Sequence, residues 1–343
     1  GLSRAFFTSG GSDSVESALR LARQYHKIKG EKDRFKFISL KKGYHGTHFG
    51  GASVNGNANF RRNYEPLMPG CFQVASPYTY RNPFNETDPA KLADLVVANL
   101  ADEIAFQGAD TIAAFIMEPV LGAGGVIVPH ETLMPKIRDL CTKHGILLIA
   151  DEVITAFGRT GGWTGSRLWG VQPDFMCTAK AITNGYYPFG AVMIHQEVAD
   201  VFENAPGAEG MIGHGYTYSA HPVGAAAAVA CIPEITRLKV NENAAVRGPE
   251  LLAGLEALKE KYEVVGDVRG KGLMCCMELV GDRATKEPIA KDRIAKCFEA
   301  AYAEGALIRV SGNNMIFSPP LIVTEGDVKT MLACAEAGLA AIS

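Results

Sequence analysis

No run of apolar residues approaches the roughly 20 that a membrane-spanning helix needs; the most apolar stretches, 146–150 and 223–232, are far shorter. An excess of charge of one sign is also missing. Against 34 Lys and Arg stand 37 Asp and Glu, a formal net charge of −3. That balance provides no basic face for nucleic acid or for an anionic membrane. The eight cysteines make no Cys-x-x-Cys pair and follow no regular spacing, which argues against a disulfide framework. His45 and His48 lie three apart, but no further Cys or His cluster completes a zinc set, and no metal site is expected. Several thiols sit in apolar stretches, such as Cys177 in DFMCTA, and read as buried and reduced in a cytoplasmic chain. Cys275 and Cys276 are adjacent, so a strand would turn them to opposite faces rather than pair them. There is no internal repeat, no low-complexity tract, no P-loop and no GxGxxG fingerprint. The chain opens on Gly1-Leu2-Ser3, without the charged and apolar parts of a signal peptide. A further segment upstream is the expectation.

What is present is an ordinary globular composition, 47% hydrophobic and 21% charged, with an excess of glycine at 37 residues. Its length suits two domains at roughly 100–200 residues each. In the first part, short apolar strands at 5–8, 35–40, 112–117, 146–150, 175–178 and 190–194 alternate with helices. Val15, Ala18, Leu19 and Ala22 fall at i, i+3, i+4 and i+7, which predicts an amphipathic helix to about residue 29. Helices are also expected over 90–106 and over 132–144, the latter stopped by Gly145. Near-continuous apolar strands separated by helices predict an α/β fold with a mostly parallel sheet covered on both faces. Residues 46–69 read as one long Gly/Asn/Arg-rich loop. After about Val240 the texture changes to a smaller α+β region. Its helices are expected near 243–262, 291–304 and 324–341, and its strands near 273–279, 307–310 and 315–318. Thr324 and Asp327 form a capping-box signature. A helix over 222–239 is the connector, and the expected domains are 1–235 and 236–343.

Open parallel sheets bind ligands at the carboxyl ends of their strands, and the residues there carry chemistry. Ser9-Gly10-Gly11-Ser12-Asp13 combines flexible glycines, a hydroxyl and a helix start, which reads either as a phosphate cradle or as a plain turn capped by Ser12. Asp151 follows an apolar strand; it either meets a positive partner or caps the next loop. Lys180 also ends an apolar strand, and either reaches solvent or serves, partly desolvated, as a nucleophile toward a carbonyl. A phosphate cradle, an aromatic to stack (Tyr44), an acid for a ring nitrogen and a Schiff-base lysine together suit pyridoxal phosphate, an electron sink that needs these four parts.

The strings FFTSGGSDSVESALRLAR, KGYHGTHFGG, FIMEPVLGAGG, LLIADEVITAFGRTG, PDFMCTAKAITNGYYPFGAV, HGYTYSAHPVGAAAA and IRVSGNNMIFSPPL span essentially the whole chain. Together they resemble the class III pyridoxal-phosphate aminotransferases, and within them the ω-amino-acid:pyruvate (ω-transaminase) branch. That resemblance implies a fold-type I transferase with a seven-stranded sheet and a smaller C-terminal domain. It implies that Lys180 forms the internal aldimine and moves the proton between substrate Cα and cofactor C4′. Asp151 pairs with the pyridine nitrogen. Val153 and Tyr44 cover the two ring faces. Gly11 and Ser12 hold the phosphate. His45 and Glu118 complete the cofactor pocket, with Glu118 near the ring hydroxyl. Thr217 reaches the phosphate of the neighbouring subunit's cofactor, which implies a homodimer with shared active sites. Arg309 binds a substrate carboxylate. The implied reaction is ping-pong transfer of an amino group from an amine or ω-amino acid to a keto acid such as pyruvate. A decarboxylase or aminomutase on the same cofactor, or a catalytically silent relative, are the alternatives. Two departures stand out. The family commonly has Ser-Gly-Ser/Thr-Glu where this chain has Gly10-Gly11-Ser12-Asp13, so one cradle hydroxyl is absent. Members also usually carry roughly a hundred further N-terminal residues.

Overall fold

Apolar runs bounded by glycines and polar turns form seven strands: β1 (Leu2–Thr8), β2 (Lys36–Leu40), β3 (Cys71–Val74), β4 (Ile112–Met117), β5 (Leu147–Asp151), β6 (Phe175–Thr178) and β7 (Gly190–His195). The computed structural model describes all residues, 1–343. These strands make one sheet in the order β1-β7-β6-β5-β4-β2-β3. Pairing is parallel from β3 through β2, β4 and β5 to β6, whereas β7 runs antiparallel to both β6 and β1. Every residue of β4 is buried, so both faces of the sheet are covered there, as an all-apolar strand demands.

Helix α1 (Gly11–Ile28) buries Val15, Ala18, Leu19 and Ala22, the stripe expected from their spacing, and packs them in one cluster with Phe37, Ala114, Ile149, Phe175 and Val192 of the sheet. Each Val, Leu, Ile or Phe among them withdrawn from water is worth roughly 1.5–3 kcal/mol. The 46–69 region is not one loop. It contains helix α2 (Phe49–Val54), whose Ala52 and Val54 are buried, and a short 3₁₀ turn at Ala58–Phe60. Helix α3 (Pro89–Gln107) packs on α4 (Leu133–His144). Gly145 closes α4 in the left-handed region at φ 65°, the C-terminal stop read from the sequence. The short α5 (Gly165–Leu168), then α6 (Gln196–Glu203) and α7 (Pro222–Arg237), follow.

The chain divides into two units. The first comprises Gly1–Gly122, Pro129–Phe157 and Thr164–Glu234. The second comprises Ile235–Ser343 together with two short segments, Ala123–Val128 and Gly158–Trp163. Helices α8 (Val240–Lys261), α9 (Lys291–Ala303) and α10 (Glu325–Ala340) accompany an antiparallel sheet in this second unit. Its strands are β8 (Val265–Gly270), β9 (Cys275–Asp282), β10 (Glu287–Pro288), β11 (Arg309–Ser311) and β12 (Asn314–Phe317). Two arginines tie the short segments in. Arg269 donates to the Gly125 carbonyl at 2.7 Å, and Arg159 donates to the carbonyls of Leu273 at 2.9 Å and Pro319 at 2.6 Å. The expected capping box is formed, with Thr324 and Asp327 exchanging side-chain and backbone bonds.

Candidate active site

The sheet registers place one set of strand ends in line. Thr8 of β1 faces Gly190, Thr178 of β6 faces Ala191, Asp151 of β5 faces Cys177, and Met117 of β4 faces Ala150. Because β7 is antiparallel, its first residue stands at the edge where the parallel strands end. The segments following β1, β2, β4, β5 and β6, and the segment leading into β7, therefore converge. Between them lies a cavity of about 350 Å³. Gly11, Ser12, Tyr44, His45, Glu118, Asp151, Val153 and Lys180 all line it. Thr217 does not; it is exposed in the turn at 217–220. Arg309 is exposed at the start of β11, in the second unit.

Each lining residue is fixed by its local chain. Helix α1 starts at Gly11 with Gly10 as its N-cap, and no side chain caps it. Ser12 is therefore not the N-cap; its Oγ accepts the Thr47 N–H at 3.1 Å instead. An uncapped helix start presents backbone donors and the positive end of the helix dipole to an anion. Asp151 ends β5 with 4% exposure. Its Oδ2 meets His45 Nδ1 at 2.9 Å and its Oδ1 accepts the Val153 N–H at 3.2 Å. A carboxylate only accepts, so Nδ1 carries the proton of that pair. The other ring nitrogen, His45 Nε2, is buried without a partner. Lys180 follows β6 in the left-handed region at φ 44°, a strained conformation for a non-glycine residue.

Two more carboxylates are buried beside Asp151. Glu118, directly after β4, accepts the Tyr44 N–H at 2.9 Å on Oε1 and the Gly122 N–H at 2.7 Å on Oε2. Burial, reinforced by the Asp151 charge, pushes its carboxyl up to about 7, although His45 and the two backbone donors pull the other way. Glu152, the next residue, points away from Asp151. It is fully buried and takes donors from the Thr155 hydroxyl at 2.5 Å, the Gly165 N–H at 2.8 Å, the Ser166 N–H at 2.6 Å and the Ser166 hydroxyl. Burial still raises its carboxyl above the ordinary range. This anchor pins the chain where it leaves β5, between Asp151 and Val153.

Several lining residues were not read from the sequence, among them Thr183, Tyr187, Pro188 and Phe189. Tyr187, Pro188 and Phe189 lead into β7 and reach the site because that strand is antiparallel, whereas Thr183 ends the short turn that Lys180 opens after β6. The signal lay in the continuous string from Lys180 to Val192 but not in any apolar periodicity.

An anion-ready helix start, a buried acid backed by histidine, two flanking side chains and a lysine at one sheet edge fit pyridoxal 5′-phosphate: phosphate, ring nitrogen, ring faces and aldehyde each have a counterpart. The fold and the site thus define a pyridoxal-phosphate enzyme. Comparison with known proteins narrows the class. The class III aminotransferase family model matches residues 1–337. The chain is 36% identical over 337 residues to putrescine–pyruvate aminotransferase of Pseudomonas aeruginosa, covering 98% of this chain and 73% of that protein. It is 35% identical to the probable γ-aminobutyrate transaminase 3 of Oryza sativa subsp. indica, covering 97% of this chain and 65% of that protein. Among solved structures, an amine transaminase from an uncultivated Pseudomonas species in its PLP-bound form superposes with a TM-score of 0.98 at 47% identity, covering 99% of this chain and 77% of that one. An (S)-enantioselective ω-transaminase from Thermomicrobium roseum gives 0.95 at 38% identity, over 99% and 75%. The chain belongs to the class III aminotransferases, and its cofactor is pyridoxal 5′-phosphate.

Proposed function

We propose that this chain transfers the amino group of a primary amine or ω-amino acid to a keto acid such as pyruvate. The observation that carries the reading is the convergence of Lys180, Asp151 and the α1 start on one cavity at the sheet edge. The named substrates of its relatives, putrescine with pyruvate in one and amines in another, support the donor and acceptor classes. When bound, pyridoxal phosphate supplies the electron sink that makes the donor's Cα–H acidic.

The chain's own groups do the rest. With the cofactor held there, Lys180 Nζ would accept and pass on the proton of the donor's Cα. Asp151 keeps a proton on the ring nitrogen, and His45 holds Asp151 in place for that task. Tyr44 and Val153 hold the ring from its two faces. Gly11 and Ser12 hold the phosphate through the helix start. Glu118, fixed by the Tyr44 and Gly122 N–H groups, would meet the ring hydroxyl. Arg309 takes the carboxylate of an amino-acid or keto-acid substrate. In the proposed homodimer the partner subunit's Thr217 completes the phosphate site. We assign the cofactor domain to residues 1–235, less the two short segments, 123–128 and 158–163, that group with the second unit, and the small domain to 236–343. A cytoplasmic enzyme is supported by eight free cysteines, seven of them buried; no helix is long and apolar enough to cross a membrane.

The test is a panel of amines and ω-amino acids with pyruvate, read as alanine formed per donor consumed. One alanine per donor without carbon dioxide is expected. Carbon dioxide release in place of alanine points to a decarboxylase and overturns the reading. Lys180→Ala should abolish turnover, and near-normal activity in that variant would remove Lys180 from its role.

A further inference from the structure

The phosphate cradle is short of self-support. Its helix has a glycine N-cap, and no side chain caps it. The structure shows what stands in. Three residues on the first turns of α1 are stitched to the segment that follows Tyr44 and His45, from Thr47 into the start of α2. Ser12 Oγ accepts the Thr47 N–H at 3.1 Å and lies 3.4 Å from the Thr47 hydroxyl. Asp13 Oδ1 meets His48 Nε2 at 2.6 Å, while its Oδ2 accepts the Ser9 N–H at 3.0 Å. Glu16 Oε2 accepts the Gly50 N–H at 3.0 Å. The approach is so close that a Cβ on Gly46, which sits at φ 96°, would lie 2.7 Å from Ser12 Oγ. A third segment closes over the pair: the Tyr216 hydroxyl donates to the Asp13 carbonyl at 3.2 Å, and its ring lies at 13° to that of His48, centroids 6.3 Å apart.

We propose that Asp13, His48 and Tyr216 are positioning residues that lock the loop after β2 onto the start of α1 and so set the affinity of the site for the cofactor's phosphate. The proposal rests on the pyridoxal-phosphate reading and extends it to residues outside the cavity lining. Asp13 is the hub. One oxygen fixes the entry to the cradle at Ser9, the other fixes the neighbouring loop through His48, and its carbonyl holds Tyr216. None of the three has to touch the cofactor. Their effect passes through Ser12 and the Gly11 backbone, whose placement decides whether the helix-start donors meet the phosphate oxygens at bonding distance.

Equilibrium titration of the full chain with pyridoxal phosphate and, in parallel, with pyridoxal, which lacks the phosphate, tests this. His48→Ala should weaken pyridoxal phosphate about tenfold and leave pyridoxal within about twofold of the unmodified chain. His48→Gln, whose amide nitrogen falls where Nε2 stood, should restore most of the loss, and Tyr216→Phe should show the same phosphate-selective weakening to a smaller degree. The proposal is overturned if His48→Ala binds pyridoxal phosphate as the unmodified chain does. It is overturned equally if both ligands weaken together, which marks a merely structural role, or if His48→Gln falls as far as His48→Ala. If the unmodified chain binds neither ligand, the functional reading itself fails, a result distinct from all of these.

Discussion

Replacing Gly11 by alanine should cost cofactor affinity while leaving the cofactor-free fold nearly intact. Gly11 is not in the left-handed region, so alanine meets no backbone strain, and in a helix it is favoured over glycine by up to about 1 kcal/mol. The conflict is with Val153. A Cβ on Gly11 would lie 2.9 Å from Val153 Cγ1 and 3.2 Å from Cγ2, whereas carbon atoms rest at roughly 3.5–4.0 Å. Val153 must therefore retreat by roughly 0.5–1 Å. Its β-branch leaves few rotamers, and its N–H is tied to Asp151 Oδ1. The side chain can move into the empty cavity, but a bound ring denies it that space. Overpacking of this size costs about 1–3 kcal/mol, so cofactor binding should weaken roughly ten- to hundredfold. Titration with pyridoxal phosphate gives the affinity, and urea unfolding of the cofactor-free protein gives the stability. Val153→Ala removes both methyl groups, so in that background Gly11→Ala should cost nothing further. Unchanged affinity in Gly11→Ala alone, or a full further loss on adding it to Val153→Ala, would refute the steric argument.

Glu118 gives a pH dependence. Its carboxyl is pushed up to about 7 from 4.5, so between those values the folded chain holds a proton that the unfolded chain has released. Stability therefore falls as pH rises through this window, by about 2–3 kcal/mol between about pH 5 and pH 8. Urea midpoints of the cofactor-free protein at the two pH values measure it, and Glu118→Gln should lose that slope. Glu152→Gln should destabilise the fold by about 1–3 kcal/mol, seen in thermal unfolding. Either orientation of the amide turns an NH₂ group toward a backbone N–H, of Gly165 or of Ser166, and a backbone donor cannot reverse its role as the hydroxyls of Thr155 and Ser166 can.

The strand ends were legible because their signals are local: an apolar run, then Asp151, Glu118 or Lys180 where the run stops. The same holds for the α1 stripe and the Thr324 capping box. What escaped the sequence was set by distant partners. Strand β3 is an edge strand with only Val74 buried, so its pattern is weak. Strand β8, VGDVRG, carries two glycines and two charges and does not look apolar, yet it pairs with β9. The reversal of β7 leaves no trace in its composition, and with it went Tyr187 and Phe189. The placement of 123–128 and 158–163 with the second unit is held by long-range bonds to backbone carbonyls, among them those from Arg269, Arg159 and Ser311, which no periodicity announces.

The three carboxylates at the ends of β4 and β5 show how one chemical group is set to three tasks by its surroundings. All are buried, and an isolated buried carboxylate is costly. Asp151 has His45 on one oxygen and a single backbone donor on the other, which leaves acceptor capacity for a protonated ring nitrogen in the cavity it lines. Glu118 has one backbone donor per oxygen and a neighbouring negative charge, so near neutral pH it stands between its two protonation states. Glu152 has four donors and none of them from the cavity, so its acceptor capacity is spent on holding the chain. Asp151 and Glu118 both line the cavity with acceptor capacity unspent, and the fully satisfied Glu152 adjoins Asp151 in sequence, which keeps Asp151 still by fixing the residue next to it.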